Sequence, residues 1–169
     1  MAVRTVLDLD LARRTGWAVG PVGARPRAGA VQLEGASHGA VYMALIGWLD
    51  DFLAVHGFGE VVCEAPLVSG DFSSQNAAEM ALGLAAHVAS WCFDNGVSYA
   101  RVHVQTARKD VLGRGTFAKG MSKAAVLAWA REQGFTPATD DAADALVVWA
   151  HATGWHRQPA LLSGAKVTA

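Results

Sequence analysis

Apolar and polar positions along the chain alternate in an order that predicts a mixed β-sheet. Three segments rich in β-branched and aliphatic residues come first, joined by short connections, and predict an antiparallel meander. Two further apolar segments are each preceded by a helical pattern, which predicts parallel crossovers. The five predicted strands are residues 3–11, 15–20, 28–34, 60–64 and 97–104. The predicted fold class is therefore α/β, a five-stranded mixed sheet with three antiparallel strands, then parallel strands, and helices on both faces.

Apolar residues at helical spacing predict the helices of this fold. They are residues 37–56, 73–95, 123–133 and 140–153. Ser122 and Thr139 are the predicted N-caps of the last two. Residues 105–120 are polar, basic and glycine-containing, and no helix or strand is predicted there. Helix 73–95 is apolar around much of its circumference, which indicates either the central core helix of a monomer or part of a dimer interface.

The composition suits one compact domain. The chain has 169 residues, of which 52% are hydrophobic, and the predicted domain is 1–155, followed by a loosely ordered tail at 156–169. No apolar run is long enough to span a membrane, and the charged residues near the N-terminus argue against a secretion signal. Cys63 and Cys92 lie in apolar segments without zinc-site spacing, which favours buried thiols in a reducing cytoplasm.

Acidic residues lie in three apolar segments, where carboxylates are costly unless a cation compensates them. Asp10 ends the run TVLDLD, Glu64 ends EVVCE, and Asp141 and Asp144 share one face of the last helix. Hard divalent cations prefer such oxygen ligands. The pattern therefore predicts a Mg²⁺ or Mn²⁺ site and metal-assisted phosphodiester hydrolysis. Asp8 shares a strand face with Asp10, so either could be the ligand.

Each acid also has a simpler explanation. Asp10 could cap its loop or pair with Arg13 or Arg14, and Glu64 could be a surface residue at a strand end. Asp141 lies in the first turn of its helix, where a negative charge favours the helix dipole. This explanation is weaker for Asp144, which lies among alanine, leucine and valine.

Positive charge is unevenly distributed, although the net charge is only −1. Residues 28–100 contain no Lys or Arg, and the basic residues fall in two blocks on either side. A polyanion would be attracted to those blocks, although basic residues also commonly decorate solvated loops. The candidate nucleic-acid contacts are Arg13, Arg14, Arg108, Lys109, Arg114, Lys119 and Lys123.

Four stretches carry a resemblance to a known family: LDLDLARRTGWAV, VVCEAP, LGRGTFAKGMSKAAV and DDAADALVVWAHA. They resemble RuvC-type Holliday junction resolvases of the RNase H-like superfamily, and most closely the short RuvC-like proteins of phages and prophages. The resemblance implies a crossover junction endodeoxyribonuclease of DNA recombination and repair that acts on four-way junctions as a homodimer. It implies two Mg²⁺ ions, for which Mn²⁺ substitutes, held by Asp10, Glu64, Asp141 and Asp144. It also implies DNA contacts by Arg114, Lys119 and Lys123, and action in the host cytoplasm if the protein is phage-encoded.

The chain departs from the family in three places. Asp10-Leu11-Ala12 stands where the bacterial enzymes have Asp-Pro-Gly, and Asp8 is an additional acid. The family's junction-opening aromatic residue lies after the strand-end glutamate, and Phe72 is the nearest candidate here. Two other functions therefore stay open: an RNase H-like nuclease acting on RNA–DNA hybrid or single strands, and a non-catalytic branched-DNA binding protein.

Overall fold

The computed structural model describes residues 3–65 and 75–157. Its sheet has five strands in the order β3-β2-β1-β4-β5. β1 pairs antiparallel with β2 and parallel with β4, β2 pairs antiparallel with β3, and β4 pairs parallel with β5. The strands are β1 (Thr5–Asp10), β2 (Arg14–Pro21), β3 (Arg27–Gln32), β4 (Glu60–Glu64) and β5 (Ser98–Val102). The predicted fold class is thus confirmed.

The helices cover both faces of the sheet. They are α1 (His38–His56), α2 (Gln75–Asp94), α3 (Val104–Leu112), α4 (Met121–Glu132) and α5 (Asp140–Thr153), followed by a 3-10 helix at Trp155–Arg157. Thr139 caps α5 as predicted, its side chain accepting a hydrogen bond from the backbone N–H of Ala142. None of the described helices combines the length and hydropathy needed to cross a membrane.

Alternation along β1 separates two apolar cores. Leu7 and Leu9 point to the core under α1 and α2, whereas Val6 points to the core under α5. Helix α5 packs across β1 and β2 and is buried along most of its length. The indole Nε1 of Trp149 donates to the carbonyl oxygen of Val6 over 3.0 Å, which fixes α5 against the first strand. The even-numbered positions of β1, including Asp8 and Asp10, consequently lie on the α5 side.

Two sequence predictions are wrong. The fifth strand ends at Val102 instead of Val104, and residues 104–112 form helix α3, where no helix was predicted. The helix forms because Ala107, Val111 and Leu112 make an apolar stripe that packs against the α5-side core. The basic and polar residues between them hide that stripe in the sequence. Helix α4 begins at Met121 after Gly120, which has a φ of 80° and provides no side-chain cap. Ser122 is therefore inside the helix and not its N-cap.

The end of the described chain is held by ion pairs. His156 and Arg157 of the 3-10 helix pair with Asp110 of α3. Residues 156 and 157, predicted to belong to the tail, thus contact helix α3. Residues 158–169 of the predicted tail, and Phe72, lie outside the described residues.

Candidate metal centre and basic border

Asp10 and Glu64 are brought together by the pairing of β1 with β4. These parallel strands align Asp8 with Val62 and Leu9 with Cys63, so the next pair in register is Asp10 with Glu64. Both acids end their strands on the face covered by α5. Carboxyl ends of parallel strands are where ligands of open α/β sheets gather.

The N-terminal turns of α5 add two acids to this edge. The negative charges of both Asp144 and Asp141 act on Asp10, and that of Asp144 also acts on Glu64. The helix approaches closely because its sheet-facing residues are small: Ala142, Ala143 and Ala145 are fully buried. The structure therefore brings together all four carboxylates that the sequence singled out.

The pKa values of the strand-end acids reflect this crowding. Burial, followed by the charges of Glu64, Asp144 and Asp141, raises the pKa of Asp10 to about 7, against a lowering by Arg108. The pKa of Glu64 is also raised, chiefly by burial and then by Asp144, while Arg108 again opposes the shift. The negative charge at this edge is thus only partly compensated by the protein.

Two arginines hold the α5 acids. Arg108 Nη2 lies 3.0 Å from Asp144 Oδ1, and Arg14 Nε lies 3.3 Å from Asp141 Oδ2. Within residues 3–65 and 75–157, no three acidic, histidine or cysteine side chains are arranged as a set that could hold a metal ion. Arg108, predicted as a nucleic-acid contact, forms its ion pair within the carboxylate cluster.

Asp8 is a further acid on the same strand face. It is 1% exposed, and in the described structure neither of its carboxylate oxygens has a hydrogen-bond partner. Burial, then the charges of Asp10 and Glu64, raises its pKa well above the usual value, against a lowering by the backbone N–H of Leu9, whose geometry falls short of a hydrogen bond. An all-oxygen cluster of acids with an unpartnered carboxylate beside it fits a hard divalent cation such as Mg²⁺ or Mn²⁺ and does not favour a soft metal.

The basic candidates fall into separate positions around this cluster. Lys109 and Arg114 line one open, polar cavity of about 450 Å³ together with Gln105, Thr106 and Thr116. The guanidinium of Arg114 also lies 5.6 Å from the ring centroid of Phe117. Lys119 is exposed on the loop before α4. We call Lys109, Arg114 and Lys119 the basic border.

Lys123 and Arg13, two further predicted nucleic-acid contacts, already have partners within the protein. Lys123 Nζ lies 3.3 Å from Asp140 Oδ2, and the guanidinium of Arg13 donates to the carbonyl oxygen of Gly35. Both side chains still lie near the ends of elements that form the acidic edge.

Comparison with solved structures finds proteins of similar architecture. Thermus thermophilus RuvC superposes with a TM-score of 0.62 at 16% identity, over 89% of this chain and 96% of RuvC. T. thermophilus RuvC in complex with Holliday junction substrate gives 0.69 at 16% identity, over 91% and 96%. The yeast mitochondrial Holliday junction resolvase Ydc2 gives 0.66 at 12% identity, over 95% of this chain and 80% of Ydc2.

The chain has the RuvC fold. The resemblance noted in the sequence is thereby confirmed at the level of architecture, while its phage-type character stays a prediction. No protein-family model and no curated protein sequence matches the chain.

Proposed function

We propose that the protein is a divalent-metal-dependent endonuclease that cleaves Holliday junctions or other branched DNA. The observation that carries this proposal is the meeting of Asp10, Glu64, Asp141 and Asp144 at one edge of a sheet with the RuvC fold. Unlike the acids of a surface cluster, Asp10 and Glu64 are desolvated and only partly compensated, which is the condition in which a bound cation is most favoured.

In this proposal the four acids hold two Mg²⁺ ions, and Mn²⁺ substitutes for them. Such a pair of ions lowers the pKa of the attacking water and neutralises charge on the scissile phosphate and leaving oxygen. Asp10 and Glu64 are fixed by strand ends and Asp144 by a packed helix, so the ligands are pre-organised by rigid elements. Arg108 and Arg14, which neutralise Asp144 and Asp141 in the absence of metal, are then available to contact phosphate oxygens.

The basic border supplies the affinity for DNA. Lys109 and Arg114 share one cavity, and Lys119 is exposed beside them. These side chains would bind backbone phosphates, which fixes the position of DNA without reading its sequence. Lys123 and Arg13 are proposed to join them by exchanging their present partners for phosphate.

We also propose a homodimer formed through helix α2. Its exposed face carries a stripe at helical spacing that consists of Leu82, Ala86, Ser90 and Phe93. Leu82 is 51% and Phe93 86% exposed, unusual values for large apolar side chains on an amphipathic helix. Analytical ultracentrifugation of the wild type and of Leu82→Glu tests this: a dimer that the variant converts to monomer supports it, and a wild-type monomer at all concentrations contradicts it.

Cleavage of defined DNA substrates tests the proposed activity. Labelled four-way junction, fork, linear duplex and RNA–DNA hybrid are incubated with Mg²⁺, Mn²⁺ or EDTA and the wild type, Asp10→Asn or Asp51→Asn. Asp51 is an exposed acid on α1, across the sheet, and controls for the loss of one charge. Paired junction nicks that require metal and Asp10, but not Asp51, are expected, with junction binding retained by Asp10→Asn.

Other outcomes of the same experiment separate the alternatives. Preferential cleavage of the hybrid or of single strands would keep the metal centre and replace the substrate. Tight junction binding without cleavage under any metal would identify a binding protein.

We place the activity in the cytoplasm, since Cys63 and Cys92 are both buried free thiols, as is usual in a reducing compartment.

A further inference from the structure

Asp8 is a carboxylate at a position of the apolar core, where no structural role accounts for it. It lies in the middle of β1, paired with Ala18 of β2 and Val62 of β4. Both neighbours, like Val6 on the same strand face, belong to the apolar core under α5. An apolar side chain would suit this position, whereas a carboxylate without partners is costly there.

The charges that act on Asp8 are all negative. They come from Asp10, one strand repeat away on the same face, and from Glu64 on the adjacent strand. The two arginines of the cluster are bound to Asp141 and Asp144 at the other side of the site. In the described part of the chain, Asp8 is also the one carboxylate whose two oxygens are both buried without a partner. A cation that arrived from solvent at Asp10 and Glu64 would be the nearest compensating charge.

We infer that Asp8 is a fifth acidic group of the divalent-cation site, which attracts the ion held at Asp10 and Glu64 from the sheet side. This inference rests on the proposed function to the extent that Asp10 and Glu64 bind the ion. Asp8 lies two residues before Asp10, so roughly 7 Å separates their Cα atoms and the two carboxylates can face one ion from different sides. Its role is to increase affinity for Mg²⁺ or Mn²⁺, at the expense of stability in the metal-free protein.

Metal binding without DNA tests this inference directly. Mn²⁺ is titrated calorimetrically into the full-length wild type, Asp8→Asn and the control Asp51→Asn, and thermal unfolding is followed with and without Mn²⁺. We expect Asp8→Asn to gain less thermal stability from Mn²⁺ than the wild type does, because its amide cannot supply a negative charge to the ion. We expect its Mn²⁺ affinity to fall by about tenfold or more, the usual effect of losing a supporting group of a metal site. Asp51→Asn should match the wild type in both measurements.

The result that overturns the inference is an Mn²⁺ affinity of Asp8→Asn equal to that of the wild type. If the amide is not tolerated in the core, Asp8→Val keeps the test decisive, because valine matches Val6 and Val62 beside it. Asp10→Asn separates this failure from that of the proposed function. Mn²⁺ binding that needs Asp10 but not Asp8 removes only the present inference, whereas a wild type that does not bind Mn²⁺ removes the proposed metal centre as well.

Discussion

A Cβ atom at Gly16 would lie 2.2 Å from the backbone carbonyl oxygen of Asp141. Gly16 pairs with Asp10 across β1 and β2, so the missing side chain lies directly beside the proposed metal centre. Glycine is required at position 16 because α5 approaches the sheet closely. Its backbone conformation is that of an ordinary strand and would accept other residues. The register of the sheet and the position of the α5 acids are thereby linked.

Gly16→Ala is therefore expected to push the start of α5 away from the sheet. We expect a loss of about 2 kcal/mol in the free energy of unfolding, as for other overpacked core positions, and weaker Mn²⁺ binding. Urea unfolding and Mn²⁺ titration check this. Gly47→Ala is the matched control, because a Cβ there meets nothing within 4 Å and lies on helix α1. A Gly16→Ala protein as stable as the wild type would show that α5 can shift without cost.

Arg108→Ala should destabilise the metal-free protein and make the stability of the fold more dependent on bound metal. The substitution leaves Asp144 without its 3.0 Å partner and removes the charge that lowers the pKa of both Asp10 and Glu64. We expect about 2 kcal/mol lost at pH 8, less at pH 5, where Asp10 with its pKa of about 7 is protonated, and partial recovery with Mn²⁺. Thermal unfolding with and without Mn²⁺ measures each effect.

The neighbouring Lys109→Ala serves as control for Arg108→Ala. Lys109 is exposed and makes no contribution to the carboxylate cluster, so its loss should change stability by no more than about 0.5 kcal/mol. Equal destabilisation by both variants would mean that the effect comes from helix α3 in general and not from the ion pair.

The sequence predicted the sheet because each strand pattern was locally unambiguous. TVLDLD and EVVCE each place apolar residues on both faces, as buried central strands require, and the Thr139 cap marks the start of α5. The sequence does not show helix α3 because its apolar stripe is interrupted by Arg108, Lys109 and Asp110, and Arg108 and Asp110 find their partners only in the folded protein.

The meeting of the four acids could be predicted, but the behaviour of two further residues could not. The entry of Arg108 into the cluster depends on the packing of α3 against α5, a contact between segments about thirty-six positions apart. That Asp8 is buried without a partner depends on which face α5 covers. The alternation of β1 left Asp8 and Asp10 equivalent, and only tertiary packing separates them.

Lys109→Ala and Arg114→Ala should each weaken junction binding in a salt-dependent way. If each side chain binds one phosphate, its loss should reduce the slope of log affinity against log salt by about 1. Fluorescence anisotropy with labelled junction over a range of KCl concentrations measures that slope. Arg4→Ala is the control, since Arg4 is paired with Glu60 at 2.6 Å at the far end of the sheet. An unchanged slope in both border variants would remove Lys109 and Arg114 from the proposed interface.

Asp110→Asn should reveal an acid-sensitive attachment of the chain end. Hydrogen bonds from Arg157 and then His151, with the charge of His156, lower the pKa of Asp110 to about 2. A lowered pKa stabilises the fold above the unfolded-state pKa, and this contribution is lost as pH falls from about 4 to about 2. We therefore expect Asp110→Asn to be less stable than the wild type by about 1 kcal/mol near neutral pH. Urea unfolding should show this difference shrinking as the pH approaches about 3. Asp94→Asn, at an exposed acid on α2, is the control. A stability difference for Asp110→Asn that does not change with pH would mean that the ionised form of Asp110 does not hold the 3-10 helix in place.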